Sequence, residues 1–191
     1  ALMSTRPVTA QDALDQCEKL SPMMVHYCQT KTGLTDPANT ILFYRLGDFY
    51  EMFFEDATLV SKELELTLTG KDCGMEDRAP MCGIPYHAAE GYINRLVENG
   101  HKVAICEQME DPKQAKGMVK REVVRVVTPG TTLIPQGLDE TKNNYIMSIV
   151  CMEGCFGIST ADISTGQCLV TEMDKPRRLV DEITKFMPAE I

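Results

Sequence analysis

The stretch that decides the fold of this chain is Ile41-Leu42-Phe43-Tyr44-Arg45-Leu46-Gly47-Asp48-Phe49-Tyr50-Glu51. Its first six residues are mostly apolar, which is typical of a β-strand buried on both faces. Asp48 follows a glycine and is a residue type that caps helices, so we predict a helix from Asp48 to about residue 64. Glu51 would then take the third helical position, where its charge suits the positive end of the helix dipole.

Phe49 has two interpretations on such a helix. It shares an apolar face with Phe53, Ala57 and Val60, which is typical of a core residue. As the first helical residue it would also stand at the exposed tip of the helix. An aromatic side chain there can insert between bases from the minor groove of DNA, and Glu51 can accept a hydrogen bond from an unstacked base. The spacing alone leaves both interpretations open.

Helical and strand patterns alternate around this stretch. Ser21 and Pro22 predict the start of a helix that ends at Gly33, and residues 88–99 predict another helix. Strands are predicted at residues 65–69, 80–84, 102–108 and 119–127, the last with one face in water. We therefore predict an α/β (α+β) domain in which a mixed β-sheet is flanked by helices.

A second unit follows a stretch with little periodicity. Residues 145–152, 155–162 and 167–173 predict three strands joined by tight turns, and residues 176–186 predict a helix. This order resembles the opening of a ribonuclease H-like α/β domain, so we predict a partial domain of that type. The predicted boundaries are 1–19 for an N-terminal extension, 20–128 for the first domain, 129–143 for a linker and 144–191 for the second domain.

Five blocks of this sequence, in the same order, resemble the MutS family of bacterial DNA mismatch repair proteins. Phe49-Tyr50-Glu51 matches the Phe-x-Glu motif of that family. The blocks are Ser21-Pro22-Met23-Met24, the stretch from Leu42 to Glu51, Met81-Cys82-Gly83-Ile84-Pro85-Tyr86-His87, Val103-Ala104-Ile105-Cys106-Glu107-Gln108 and Arg125-Val126-Val127-Thr128-Pro129-Gly130-Thr131. The resemblance runs from about residue 20 to the last residue and covers only the front of a longer family chain.

The resemblance implies that the first domain recognises mispaired or unpaired bases in double-stranded DNA, with Phe49 as the wedge and Glu51 as the carboxylate that discriminates. It also implies a homodimer in the full-length protein, a MutL-type partner, and a cytoplasmic, nucleoid-associated location with no membrane contact. The family uses ATP and Mg in a domain near its far end. The sequence contains no P-loop motif, so we expect no cofactor and no enzymatic activity from these residues.

The formal net charge of −9 opposes DNA binding, because phosphate contacts need Lys or Arg. One stretch differs: residues 113–125 carry five basic residues against Glu122. It is either a solvated loop or a surface that follows the phosphates, for which Lys116, Lys120 and Arg121 are candidates. Arg45, beside the Phe-x-Glu motif, is a further candidate for a phosphate contact.

Asp162 suggests an alternative function, that of a metal-dependent nuclease or phosphotransferase of ribonuclease H-like type. A carboxylate at the end of a first strand can hold a divalent metal in such enzymes. An Asp before Ser-Thr-Gly is also a common turn former, and no second acid is placed beside it in the sequence. The eight cysteines are scattered without a Cys-x-x-Cys pair, which predicts reduced, buried thiols and no metal site.

Overall fold

The computed structural model describes residues 8–16, 18–111, 115, 117–131 and 143–191. It divides the chain into two compact units, Ala1–Val127 and Thr128–Ile191. In the part of the chain so described, no helix is both long enough and apolar enough to cross a membrane.

The first unit is built on one mixed β-sheet. Its elements are, in chain order, α1 (Ala10–Gln16), α2 (Pro22–Thr32), β1 (Thr40–Leu46), β2 (Phe49–Phe53), α3 (Phe54–Glu63), β3 (Thr69–Lys71), β4 (Ala79–Pro85), α4 (Ala89–Glu98), β5 (Lys102–Gln108) and β6 (Arg121–Val127). The strands lie in the order β3-β4-β2-β1-β5-β6. Strands β1 and β5 are parallel, and the other neighbours are antiparallel.

Helices cover both faces of this sheet, which confirms the predicted fold class. Buried side chains of α3 and α4 pack on one face with alternate residues of β1, β2 and β5. Side chains of α1 and α2 pack on the other face, around Leu42, Tyr44 and Phe53. Because β1 lies near the middle of the sheet, its residues from Thr40 to Tyr44 are buried on both faces, as its apolar sequence predicted.

The predicted helix beginning at Asp48 is wrong. Gly47 and Asp48 form a turn, and β2 runs back antiparallel to β1 with Leu46 opposite Phe49. Gly47 adopts a φ of +58°, a conformation that glycine accepts without a steric penalty. The helix α3 starts only at Phe54. Asp48 therefore caps no helix, and Glu51 lies in a strand.

Strand pairing explains why residues 49–53 form a strand and not a helix. The apolar residues at 49, 53, 57 and 60 fit a helix, but Tyr50 and Met52 alternate with Phe49 and Glu51, which fits a strand equally well. Strand β2 lies between β1 and β4, so its backbone groups find partners on both sides. Tertiary pairing decided between two local patterns of similar strength.

Two other sequence predictions need correction, and part of the predicted extension is helical. The strand predicted at residues 65–69 is instead the short edge strand β3, whose first residue is Thr69. Residues 10–16, within the predicted extension, form α1, whose Ala10 N–H donates to Glu55 Oε2 at 2.8 Å. Strand β6 has no single wet face: its residues from Glu122 to Val126 are all exposed, because β6 is the last strand of the sheet.

A buried polar network ties α2 and α3 to the central strands. Lys31 Nζ donates to Asp56 Oδ1 at 2.7 Å, and Asp56 Oδ2 accepts from the Leu42 N–H at 2.8 Å. The Tyr27 hydroxyl accepts a hydrogen bond from the Phe53 N–H at 3.1 Å. Burial raises the pKa of Asp56, while the neighbouring Lys31 ammonium opposes the rise. The network fixes both ends of the segment that leads from β1 through β2 into α3.

The second unit is a three-stranded antiparallel sheet with one helix. Its elements are β7 (Tyr145–Met152), β8 (Cys155–Asp162), β9 (Gln167–Met173) and α5 (Pro176–Phe186). They confirm the three predicted strands and the predicted helix. The core contains Met147, Ile158 and Met173 on the sheet, packed against apolar residues of α5. Glu190 forms an isolated parallel bridge with Ile146.

Candidate nucleic-acid interface

Phe49 is an exposed aromatic residue at the end of an otherwise buried strand. It is the first residue of β2, opposite Leu46 on β1 and Pro85 on β4. Phe49 is 46% exposed, whereas Tyr50 and Met52 are 7% and 0% exposed. Because successive side chains of a strand point to opposite faces, Phe49 and Glu51 share one face of the sheet. The side chains of Phe49 and Glu51 therefore project from the same face of a paired strand.

Glu51 lies two residues further along β2, opposite Tyr44 on β1 and Gly83 on β4. Its carboxylate forms an ion pair with Lys71, with 2.5 Å between Oε2 and Nζ. The side chains are partly exposed, Glu51 to 16% and Lys71 to 31%. Glu51 is therefore a carboxylate near the surface with one cation beside it.

Arg45 holds the turn between β1 and β2. Its Nε donates to the Gly47 carbonyl at 2.5 Å, and its guanidinium carbon lies 3.7 Å from the centre of the Tyr86 ring. Its Nη1 also lies 3.4 Å from Glu107 Oε2. The Tyr50 hydroxyl also donates a hydrogen bond to the Glu107 carboxylate. Burial, and to a smaller extent this hydrogen bond, raises the pKa of Tyr50 to about 12. These contacts give Arg45 a structural role at the base of the turn that precedes Phe49.

Arg121 is buried, contrary to what a phosphate contact requires. It is 8% exposed, and its Nε donates to the Arg45 carbonyl at 2.7 Å. Its Nη1 donates to the Val119 carbonyl at 2.9 Å. The guanidinium thus joins the start of β6 to the end of β1, because backbone carbonyls at strand ends need donors. This geometry favours a structural role for Arg121.

Lys120 is exposed beside Arg121. Its Nζ lies 2.7 Å from Glu122 Oε1, and both side chains are at least half exposed. The hydrogen bond that Lys120 donates to the Glu122 carboxylate raises the pKa of Lys120. Lys116 lies outside the described residues. In the described part of the basic stretch, Lys120 and Arg125 are therefore exposed and Arg121 is buried.

No sequence pattern predicts the contact of Lys71 with Glu51 or that of Arg45 with Glu107. Lys71 is 20 residues from Glu51, in a polar loop-like stretch with no periodicity. Glu107 is 62 residues from Arg45. Only the sheet order brings these residues together, since β3 and β5 lie on opposite sides of the hairpin formed by β1 and β2.

Asp162 in the second unit forms a turn. Its Oδ1 accepts hydrogen bonds from Ser164 N at 2.9 Å, Ser164 Oγ at 2.6 Å and Thr165 N at 3.3 Å. The Ser164 hydroxyl contributes most to lowering the pKa of Asp162. Across the described ranges, no group of three or more His, Cys, Asp or Glu side chains could hold a metal ion. Asp162 thus has the turn-forming contacts that its sequence also predicted.

The cysteines divide between the two units. Those described in the first unit are buried: Cys28, Cys73, Cys82 and Cys106. Burial raises the pKa of Cys82 to about 12 and that of Cys106 to about 11, which keeps both thiols protonated at neutral pH. Cys151, Cys155 and Cys168 in the second unit are exposed, so the prediction of buried thiols is wrong for them. Cys17 lies outside the described residues.

Comparison with known proteins places both units in one family. The family models of MutS domain I and MutS domain II match residues 21–135 and 144–191. The chain is 64% identical over 173 residues to the DNA mismatch repair protein MutS of Lachnoclostridium phytofermentans, a match that covers 91% of this chain and 18% of that protein. It is 55% identical over 175 residues to the DNA mismatch repair protein MutS of Alkaliphilus metalliredigens, covering 90% of this chain and 20% of that protein.

A third relative, the DNA mismatch repair protein MutS of Clostridium tetani, is 56% identical over 174 residues, with 91% of this chain and 19% of that protein covered. The chain thus spans about a fifth of the length of the curated relatives that it matches. The two family models together match most of the chain in the order in which its two units occur. This chain belongs to the MutS family.

Proposed function

We propose that the first unit probes the base stack of duplex DNA for mispaired or unpaired bases, as part of an ATP-dependent mismatch repair protein. The observation that carries this proposal is Phe49, an exposed ring on a strand whose next residue is buried. Inserting a side chain between base pairs costs a few kcal/mol per step. A mismatch stacks poorly and kinks more easily, so part of that cost is already met there. Phe49 therefore inserts preferentially at mismatches.

Glu51 supplies discrimination in this proposal. Phosphates repel a carboxylate, so Glu51 gains only where it accepts a hydrogen bond that a well-paired duplex does not offer. Its place on the same face as Phe49, two residues along the strand, supports this role. Matched DNA offers the repulsion without the hydrogen bond.

The proposal is tested by fluorescence anisotropy with a full-length protein that carries this chain, on matched and single-mismatch duplexes at fixed salt. We expect Phe49→Ala to bring the affinity ratio between the two duplexes close to one. Glu51→Ala should raise the affinity for matched DNA and narrow the ratio. The matched control is Leu68→Ala, because Leu68 is 47% exposed and lies outside the Phe-x-Glu motif. Equal mismatch preference in the parent and the Phe49→Ala variant would falsify the wedge.

Lys116 and Lys120 are proposed to contact the DNA backbone, and Arg45 to support the wedge from the turn. Arg121 is not part of this proposal because it is buried and its Nε and Nη1 donate to backbone carbonyls. The slope of log affinity against log salt is negative, and each lost phosphate contact reduces its magnitude by about 0.9. The double variant Lys116→Gln/Lys120→Gln should therefore bind with a shallower slope, and an unchanged slope would remove both lysines from the interface.

The remaining parts of the proposal concern the whole protein. We place ATP and Mg binding in segments outside this chain, and assign this chain no enzymatic activity of its own. The full-length protein is proposed to act as a homodimer with a MutL-type partner, in the cytoplasm and on the nucleoid. Residues 20–128 are proposed as the recognition domain and 144–191 as part of the connector domain, with an extension at 1–19 and a linker at 129–143.

A further inference from the structure

Lys71 reaches Glu51 across an intervening strand. Lys71 is the last residue of β3 and lies opposite Ala79 on β4, while Glu51 lies opposite Gly83 on the same strand. Ala79 and Gly83 are four residues apart, so all four positions face the same side of the sheet. Both side chains can therefore extend over β4 and meet there, with 2.5 Å between Nζ and Oε2.

The Glu51 side chain lies beside Gly83 of β4. A Cβ atom at Gly83 would lie 3.5 Å from Glu51 Cγ and 3.3 Å from the Tyr50 carbonyl oxygen. The carboxylate side chain thus lies against bare backbone on its way to Lys71. Lys71 Nζ also lies 5.8 Å from the centre of the Phe53 ring, which lines the same face. The pair is seated on the sheet and does not hang free in solvent.

A carboxylate that must approach a base edge has two difficulties. Nearby phosphates repel it, and its flexible side chain must be held in one orientation, which costs conformational entropy. A cation in contact with one carboxylate oxygen reduces both, since it neutralises the charge and selects a rotamer. The second oxygen, Glu51 Oε1, stays available as an acceptor because the ion pair uses Oε2.

We propose that Lys71 is a positioning residue for Glu51: it neutralises the carboxylate, orients it across β4 and so sets how strongly the protein prefers mismatched DNA. This inference rests on the proposed function of Glu51. Lys71 acts through Glu51 and not through a phosphate of its own. Its removal therefore matters only while Glu51 carries a charge.

A double-mutant cycle on the full-length protein tests this directly. The four proteins are the parent, Lys71→Met, Glu51→Gln and the double variant, each titrated with matched and mismatched duplexes. Because Lys71 is proposed to hold the charge and the orientation of Glu51, we expect Lys71→Met to weaken mismatch binding by about tenfold when Glu51 is present. In the Glu51→Gln background the same substitution should cost less than about twofold. Lys71→Arg should restore the affinity of the parent to within about twofold.

Two controls separate positioning from general electrostatics and from misfolding. Lys62→Met removes one exposed positive charge from α3 and should leave the affinity ratio unchanged. Thermal unfolding of each variant, followed by circular dichroism, checks that the fold is intact. Because Met is an unbranched side chain close to Lys in length, Lys71→Met removes the charge with little change in shape.

Each outcome has a defined meaning. Lys71→Met could lower the affinity for mismatched DNA equally in both Glu51 backgrounds and reduce the magnitude of the slope of log affinity against log salt by about 0.9. That result would show that Lys71 contacts a phosphate and would overturn the inference. No loss in either background would overturn it as well. If Phe49→Ala abolishes mismatch preference while the coupling is absent, only the role of Lys71 falls. If Phe49→Ala retains the preference, the proposed function itself falls.

Discussion

Two lysine–carboxylate pairs in the first unit have similar distances and opposite surroundings. Lys31 and Asp56 are 2.7 Å apart with side chains 3% and 4% exposed, whereas Lys71 and Glu51 are 2.5 Å apart with side chains 31% and 16% exposed. Asp56 also accepts a hydrogen bond from the Leu42 N–H of β1, and Lys31 also donates one to the Thr40 carbonyl of β1. The distance between two charges therefore does not reveal what a pair does. Burial and the additional hydrogen bonds do.

The difference follows from the cost of removing charges from water. Both members of the buried pair are desolvated, so neither can lose its partner without leaving a charge in the core. The pair near the surface keeps access to water and can exchange partners at low cost. The first pair is suited to holding α2, α3 and β1 together. The second is suited to a carboxylate that meets a ligand.

The largest expected effect comes from breaking the buried pair. Lys31→Met should lower the free energy of unfolding by about 3–5 kcal/mol, because it leaves Asp56 charged and unpaired in the core. Lys71→Met should cost only about 0–1 kcal/mol. Urea denaturation of this chain measures both. Adding Asp56→Asn to Lys31→Met should recover much of the loss, because the uncharged amide oxygen can still accept from the Leu42 N–H. Equal costs for the two lysine variants would contradict the distinction.

Next in size is the tyrosine that connects the buried pair to β2. Tyr27→Phe leaves the Phe53 N–H without the hydroxyl that accepts its hydrogen bond, so we expect a loss of about 1–3 kcal/mol. Hydrogen exchange should locate the effect, because the Phe53 amide would lose protection. Unchanged protection of the Phe53 amide together with an unchanged free energy of unfolding would show that the Tyr27 hydroxyl does not stabilise β2.

A smaller effect is expected for Asp162, a carboxylate stabilised by hydrogen bonds from Ser164 and Thr165. The hydrogen bond from Ser164 lowers its pKa, so the folded state binds this proton less readily than the unfolded state. Its contribution to stability is complete above the ordinary pKa of Asp and is lost as the pH falls through the lower pKa of the folded state. NMR signals of the second unit, followed from pH 5 downward, should show less acid sensitivity in Asp162→Asn. Identical acid titrations would contradict this.

The smallest effect is expected at the fully exposed end of the series. Lys120 and Glu122 form an ion pair in which both side chains are largely in water. Their attraction is screened, and ordering two long side chains offsets it. Lys120→Gln should therefore leave the urea midpoint of this chain unchanged at 0.15 M salt. A clear shift in the midpoint would mean that this pair stabilises the start of β6.

Most elements could be predicted because their local signals agree with their tertiary surroundings. Ser21 and Pro22 start α2, and the Ser21 hydroxyl accepts a hydrogen bond from Met24 N at 3.3 Å. The apolar run of β1 has the burial of a central strand. In the second unit, glycines at two predicted turns adopt positive φ, Gly154 at +85° and Gly166 at +73°. Local preference and final structure coincide at these positions.

The sequence predicts the residues of the candidate site but not their secondary structure or their contacts. The sequence contains the motif at Phe49 and Glu51 but predicts a helix for its backbone, because a spacing of four residues suits a helix and alternation suits a strand in the same segment. The sequence also predicts Arg121 as a surface cation because basic residues usually face water, whereas Arg121 donates to the carbonyl of Arg45 near the end of β1. Both errors concern contacts with residues far away in the chain.

The sequence by itself determined the family resemblance, the buried strand β1, the mixed α/β class of the first unit and the two residues of the candidate wedge. These rest on short-range patterns, which are complete within a few neighbouring residues. Only the tertiary structure decided that Phe49 and Glu51 lie on a strand, that Arg45 holds their turn and that Lys71 accompanies Glu51. The physical reason is that β4 pairs with β2, β3 carries Lys71 and β5 carries Glu107, and these partners lie outside the local stretch from β1 to β2.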